Sequence, residues 1–329
     1  KNKAEAAGVK YTQQLEEADA AARQAKDARP AAIEAYNKDR ADAADILSRS
    51  IIDASKANLL WLFHKVPEEK RELAKQWYVG ANRFADSIAT QYGIQRKQAA
   101  GVIAVLSPQK DWFQNASLAE RITDAWHERQ DHAWDARMGA TFDRIYAGPK
   151  YAALRANIVG RTLSEVLTAE GGTLKSRDKD AAGWIRTFDQ TYNGSGYRIF
   201  HPEGRLLDWA KNDSKGNPRS QIQWGSNSEI AKAVSILRDG SRFNINWSLG
   251  EQHKVRSFYN NIIAPFDPNG DVTMDTHAVG AALLRMVSQA STEVSWNFGT
   301  GAGSSTSMRT GVGDPVDVPS RRKEHPGQR

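Results

Sequence analysis

Cysteine is absent from the 329-residue chain. That excludes disulfides, thiolate zinc sites and iron–sulfur clusters together. It suits a reducing compartment, so a cytoplasmic location is expected (the host cytoplasm, if the chain is viral). Long apolar runs are also missing. No stretch approaches the ~20 residues a membrane helix requires, and no membrane partner is expected. Strand patterns are few, and no repeat is sustained. No secretory pattern stands at the start, and the first residue is Lys1 rather than Met, as expected of a chain processed or cut from a longer one.

What is present can build a core: 40% of the residues are hydrophobic, with ten Trp and ten Phe. Basic residues number 45 against 39 acidic ones, giving a net charge of +6. A basic balance favours polyanionic partners, nucleic acid above all. An ordinary soluble protein can carry the same mild excess.

The pattern along the chain is helical. Residues 1–29 are rich in Ala, Glu, Lys and Gln, and read as a solvated helix or frayed arm broken by Pro30. A second helical stretch runs from Ile33 to Phe63. Together residues 1–65 form an N-terminal helical arm suited to a protein partner or to simple packing. Pro67, Glu68 and Glu69 start a helix. Its apolar face holds Leu73, Trp77, Ala81, Phe84, Ile88 and Tyr92, and Gly93 stops it. Gly101 to Leu106 is a buried segment, and Leu118, Ile122 and Trp126 mark another helix. Residues 130–225 alternate short helical patterns with Gly, Asn and Pro clusters, and read as an irregular insertion. Ile230, Val234 and Leu237 restore helical spacing. Arg242 to Leu249 reads as a polar and aromatic link. Helices follow at Val255–Ile263 and Val279–Val287, with a loop at 265–270 between them. Residues 299–329 are crowded with Gly, Ser, Thr and Pro, and read as a flexible tail. The expected class is all-α, with residues 66–298 as the main helical domain.

Three segments carry polar groups able to do chemistry. In the first, Leu106-Ser107-Pro108-Gln109 leads to Trp112, Phe113 and Asn115. Gln109 could enter a duplex in place of an extruded base, and Trp112 could stack. Equally, the segment is a corner between helices, with Asn115 bonding the backbone and Trp112 in the core. In the second, Gly250-Glu251-Gln252-His253-Lys254 opens a helix. Gly permits close approach, and the free N–H groups of a helix start suit a phosphate. Lys254 lies one turn before Phe258, where partial desolvation would lower its proton affinity and make it a nucleophile. It is equally a surface lysine. In the third, Met274-Asp275-Thr276-His277 begins a helix. Asp275 suits a structural N-cap, and could also stabilise positive charge on a sugar or activate water. His277 fits packing or hydrogen bonding.

Taken in order, these segments resemble the helix-hairpin-helix, endonuclease III-like DNA glycosylase superfamily. Ile103 to Gln109, with Asn115 beyond, is similar to the family's segment ending Leu-Ser-x-Gln. Asn227 to Leu237 is similar to the helix before the hairpin. Gly250 to Lys254 occupies the hairpin, and Lys254 matches the lysine of bifunctional members. Val272 to His277 is similar to the Val-Asp-Thr-His stretch that holds the catalytic aspartate. The resemblance covers residues 95–128 and 226–290. Gln252 stands where the hairpin usually has a second Gly, the insertion is longer than in the standard fold, and the cluster cysteines are missing. These departures resemble a divergent, phage-associated branch.

The resemblance implies a DNA glycosylase fold that flips out and excises a damaged or modified base from double-stranded DNA. Asp275 and Lys254 would be catalytic. Gln109, Trp112, Asn115, Gly250, His253 and His277 would contact DNA or line the base pocket. No metal or cofactor is implied. Two other expectations stay open: an enzyme of phage DNA base hypermodification, and a non-catalytic DNA-binding or virion protein.

Overall fold

A computed structural model describes residues 2–193, 198–200, 206–209, 222, 224–250, 253–288, 291, 294, 307–309 and 315–317. The chain is predominantly α-helical and divides into two units, residues 1–65 with 281–285, and residues 66–280 with 286–329.

The first unit is built on one helix, α1 (Asn2–Lys65). The expected break at Pro30 does not occur, and Pro30 lies within the continuous helix. A mid-helix proline loses one N–H bond and costs roughly 3 kcal/mol, which the long flanking runs of good helix formers absorb. Ile33, Tyr36, Leu47 and Ile51 are exposed. Near its C-terminal end, the Asn58 side-chain amide donates to the Ala282 carbonyl at 2.8 Å.

In the second unit, α2 (Glu68–Lys75) and α3 (Trp77–Tyr92) are separate helices, divided at Gln76. Gly93 ends α3 in the left-handed conformation, at φ 66°. Then come α4 (Arg96–Val105), α5 (Trp112–Glu128), α6 (Ala136–Ile145), a 3-10 turn (Pro149–Tyr151), α7 (Ala152–Ile158), α8 (Leu163–Thr168) and α9 (Leu174–Tyr192). Thus residues 136–192, expected as short helical patterns between Gly, Asn and Pro clusters, are more regular than expected. Those clusters lie at the ends of short helices, several of them with side-chain N-caps at Asp135, Thr162 and Thr173. Two short strands, β1 (Arg198–Phe200) and β2 (Leu206–Trp209), pair antiparallel. The chain continues through α10 (Asn227–Arg238), α11 (Arg242–Leu249), α12 (His253–Ile263) and α13 (Thr276–Leu283). A second antiparallel ribbon joins β3 (Ser307–Arg309) and β4 (Pro315–Asp317), inside the expected flexible tail. The segment Arg242–Leu249, read above as a link, is the helix α11. Ser241 caps it by accepting from the Asn244 amide, and Ile245 and Leu249 bury its inner face.

The core forms where α10 packs on α9 and α4, and where α4 also meets α3 and α12. Seven consecutive α4 residues from Ala99 to Val105 are buried. That run is apolar because α3, α10 and α12 pack against it. Gly101 lets α10 approach closely, since a Cβ there would sit 3.2 Å from the Ile236 side chain and press it back by a few tenths of an ångström. Trp184 on α9 is fully buried and stacks on Phe188 at 5.4 Å. Burial of each large apolar side chain contributes about 1.5–3 kcal/mol. Among the described residues, no helix is long and apolar enough to cross a membrane.

Candidate active site

Three stretches of the second unit hold the residues singled out by sequence. The first is the corner between α4 and α5. After Leu106 the chain turns through Ser107–Lys110, where the Lys110 amide donates to the Ser107 carbonyl at 3.2 Å. Gln109 is exposed and has φ 58°. A non-glycine residue in the left-handed region is held there by its surroundings at some energetic cost. Asp111 then caps α5 by accepting from the Gln114 amide at 2.9 Å. Trp112 is half-buried against Trp77 and Phe84, with ring centroids 5.5 and 5.7 Å away. Asn115 is 2% exposed, and its side-chain amide donates to the Ile103 carbonyl at 2.9 Å. Trp112 thus packs against the edge of the core, and Asn115 bonds the backbone. Buried Asn115 Oδ1 and Ser107 Oγ have no hydrogen-bond partner among the described residues.

The second stretch runs from α11 through Gly250 to α12. Gly250 ends α11 at φ 68°, ψ −157°. That backbone conformation is essentially confined to glycine. Arg256 on α12 reaches back to close the turn. Its Nη2 donates to the Gly250 carbonyl at 2.7 Å and to the Asn246 carbonyl at 3.1 Å. Its Nε also donates to Gly250 O at 3.1 Å. The Gly250 carbonyl is one that the helix end leaves open, while the Asn246 carbonyl also accepts from the Gly250 amide at 3.2 Å. Glu251, Gln252 and the His253 side chain lie outside the described residues. Lys254 is half-buried in the first turn of α12. On α11, Phe243 and Trp247 stand one turn apart and are 78% and 71% exposed.

The third stretch joins α12 to α13. Two adjacent asparagines tie it down. The Asn260 amide donates to Asp271 Oδ2 at 2.7 Å, and the Asn261 amide donates to Thr273 Oγ1 at 3.0 Å. Asn82, on α3, fixes the end of α12 by donating to the Ile262 carbonyl at 2.7 Å. The loop therefore delivers Asp275 to the start of α13, where Oδ1 accepts from the Ala278 amide at 2.9 Å. Asp275 is half-buried and His277 is exposed. Lys254 and Asp275 share no direct bond among the described residues.

Sequence reasoning missed the fixing groups. Arg256, Asn260 and Asn261 read as ordinary polar positions of a helix, because their partners lie in a turn or a loop. It also missed a buried carboxylate, Asp189 on α9. Asp189 receives Trp224 Nε1 at 2.7 Å, Asn193 Nδ2 at 2.7 Å and Arg121 Nη1 at 3.3 Å. Burial pushes its carboxyl above the usual range, while Arg121 and the donated hydrogen bonds pull it back. With every contact internal, this group anchors the segment before α10 to the core.

Residues 43–156 match the model of a family of unknown function, DUF7178. The match takes in Gln109, Trp112 and Asn115, and ends before Gly250, Lys254 and Asp275. No curated protein and no solved structure matches the chain.

Proposed function

We propose that this chain is a helix-hairpin-helix DNA glycosylase that excises a damaged or modified base. The observation that carries this reading is the order α11, Gly250 turn, α12, pinned loop, Asp275. A glycine-closed hairpin suits a DNA phosphate. The asparagine ties hold a carboxylate in a fixed place a short loop later. Exposed Gln109, strained at a sharp corner, suits a residue that enters an opened duplex. Phe243 and Trp247 suit contact with unstacked bases.

In this reading the target base leaves the stack at a cost of a few kcal/mol. The bond from the sugar C1′ to the base nitrogen then breaks. The electron pair departs with the base, which takes up a proton. The Asp275 carboxylate stabilises the positive charge left on the sugar, an electrostatic effect strongest when the group is preorganised. Water then adds its oxygen to C1′ and releases a proton, leaving an abasic site. Should Lys254 reach C1′ instead, its amine attacks C1′ as the bond to the base breaks, the base leaving with the electron pair and one amine proton. The C1′–O4′ bond then breaks as nitrogen and C1′ form the imine, and the second amine proton passes to O4′.

The test is incubation with duplexes carrying a panel of modified pyrimidines, with borohydride added. Released base without an adduct indicates the water route. A reduced adduct lost in Lys254→Ala indicates the amine route. Salt-sensitive binding with no chemistry on any duplex would reject the enzyme reading in favour of a DNA-binding scaffold.

A further inference from the structure

Outside the stretches that hold Asp275 and Lys254, α6, the 3-10 turn and α7 enclose an open cleft of about 380 Å³. Phe142, Asp143, Tyr146, Gly148, Tyr151 and Arg155 line it. The floor is firm, since Phe142 and Tyr146 are buried and stand 5.1 Å apart. Tyr151 meets Tyr146 edge-on at 5.0 Å and forms part of the rim.

Each of the three rings has a cation over it. Arg155 lies 5.0 Å from the Phe142 centroid, Lys150 lies 4.9 Å from Tyr151, and Arg186 lies 5.8 Å from Tyr146. Asp143 pairs with Arg155 and is the only carboxylate lining the cleft among the described residues. Arg186 donates to two neutral oxygens, Gly225 O at 3.4 Å and Asn227 Oδ1 at 3.2 Å. In the lining itself Arg155 is offset by Asp143, while the two further cations, Lys150 and Arg186, lie against the Tyr151 and Tyr146 rings without lining the cleft. Packing on Phe142 and pairing with Asp143 fix the Arg155 guanidinium, yet half of its side chain remains open. A guanidinium held in this way offers a plane on which a base can stack.

From this arrangement we infer that the cleft binds one nucleotide, its base against Tyr151 and Arg155 and its phosphate at Lys150. A simple anion would use the cations and leave the aromatic walls idle. A neutral ring would do the reverse. A nucleotide uses both, and the volume falls within the range of ~300–1,000 Å³ usual for small-molecule sites. The unit recognised is either a free mononucleotide or one residue of a single strand. The inference stands apart from the glycosylase reading, because neither Asp275 nor Lys254 lines the cleft.

The experiment is calorimetric titration of the full chain with deoxyadenosine monophosphate and, separately, with an oligodeoxyadenylate strand. Saturable binding of either is expected, weakened roughly threefold or more in both Tyr151→Ala and Arg155→Ala. Should either variant lose its helical circular dichroism, Tyr151→Leu or Arg155→Gln takes its place. Sensitivity to Tyr151 in the mononucleotide arm identifies a free nucleotide, and in the strand arm alone identifies a strand. Asp275→Asn leaves the binding unchanged, so loss of base release and loss of this site are separable. Absence of binding in both arms, or binding that the Tyr151 and Arg155 variants alter by less, overturns the inference.

Discussion

The side-chain amide of Asn261 donates to the hydroxyl of Thr273 at 3.0 Å, tying the buried side of α12 to the loop that ends at Asp275. Removing the tie in Asn261→Ala is expected to cost about 1 kcal/mol of stability. It should also slow base release, through looser placement of Asp275. Thr273→Val should act in the same direction. Melting curves and single-turnover release measure the two effects. Full activity in both variants would mean that the tie does not position the carboxylate.

Asp275 is an N-cap in the structure, and a catalytic group in the proposed reading. Asparagine caps about as well as aspartate, so Asp275→Asn should shift stability by only a few tenths of a kcal/mol. Asp275→Ala should cost roughly 1 kcal/mol. Base release should be lost in both. Activity that survives in Asp275→Asn but falls with stability in Asp275→Ala would reduce the residue to a cap.

Gly250 adopts φ 68°, ψ −157°, with nothing within 4 Å of where a Cβ would stand. The penalty for Gly250→Ala is thus one of backbone conformation, on the order of 1–3 kcal/mol. Denaturant melts should report that loss, together with weaker DNA binding if the hairpin grips a phosphate. An unchanged melt would mean that the turn relaxes without cost.

Burial holds the Asp189 carboxyl above its ordinary range, against the opposing pull of Arg121. The folded chain therefore keeps this proton at pH values where the unfolded chain has released it. By linkage, the group adds stability as pH falls from its raised folded value towards about 3.9, the ordinary Asp value. Asp189→Asn cannot titrate. The stability of the native chain relative to this variant should increase as pH is lowered through that window. A shrinking difference in paired melts would mean that the ion pair with Arg121 outweighs desolvation.

The helices of the core were legible where apolar spacing is strict. Leu118, Ile122 and Trp126 mark α5, and Val255, Phe258 and Ile262 mark α12. Glycine and proline misled twice in the same direction, each time suggesting a break where the chain is helical. Pro30 lies inside a continuous helix, and the punctuated stretch after residue 130 folds into capped helices that bury Met138, Phe142 and Trp184. Arg242–Leu249 was obscured because Phe243 and Trp247 leave their large apolar surfaces exposed. Its apolar pattern therefore does not mark a buried face.

Of the candidate site, the sequence by itself determined residue types and order: a polar corner at Gln109, a glycine before Lys254, and an aspartate at a helix start. Those are local properties, set by turn chemistry and capping within a few residues. Tertiary structure decided which polar groups are spent internally. Asn115 goes to the Ile103 carbonyl, Arg256 to the Gly250 turn and Asn261 to Thr273. It also decided that Phe142, Tyr146, Tyr151 and Arg155 meet in one cleft. The physical reason is that a hydrogen bond or ring contact depends on distance in space, which packing around α4, α9 and α10 sets.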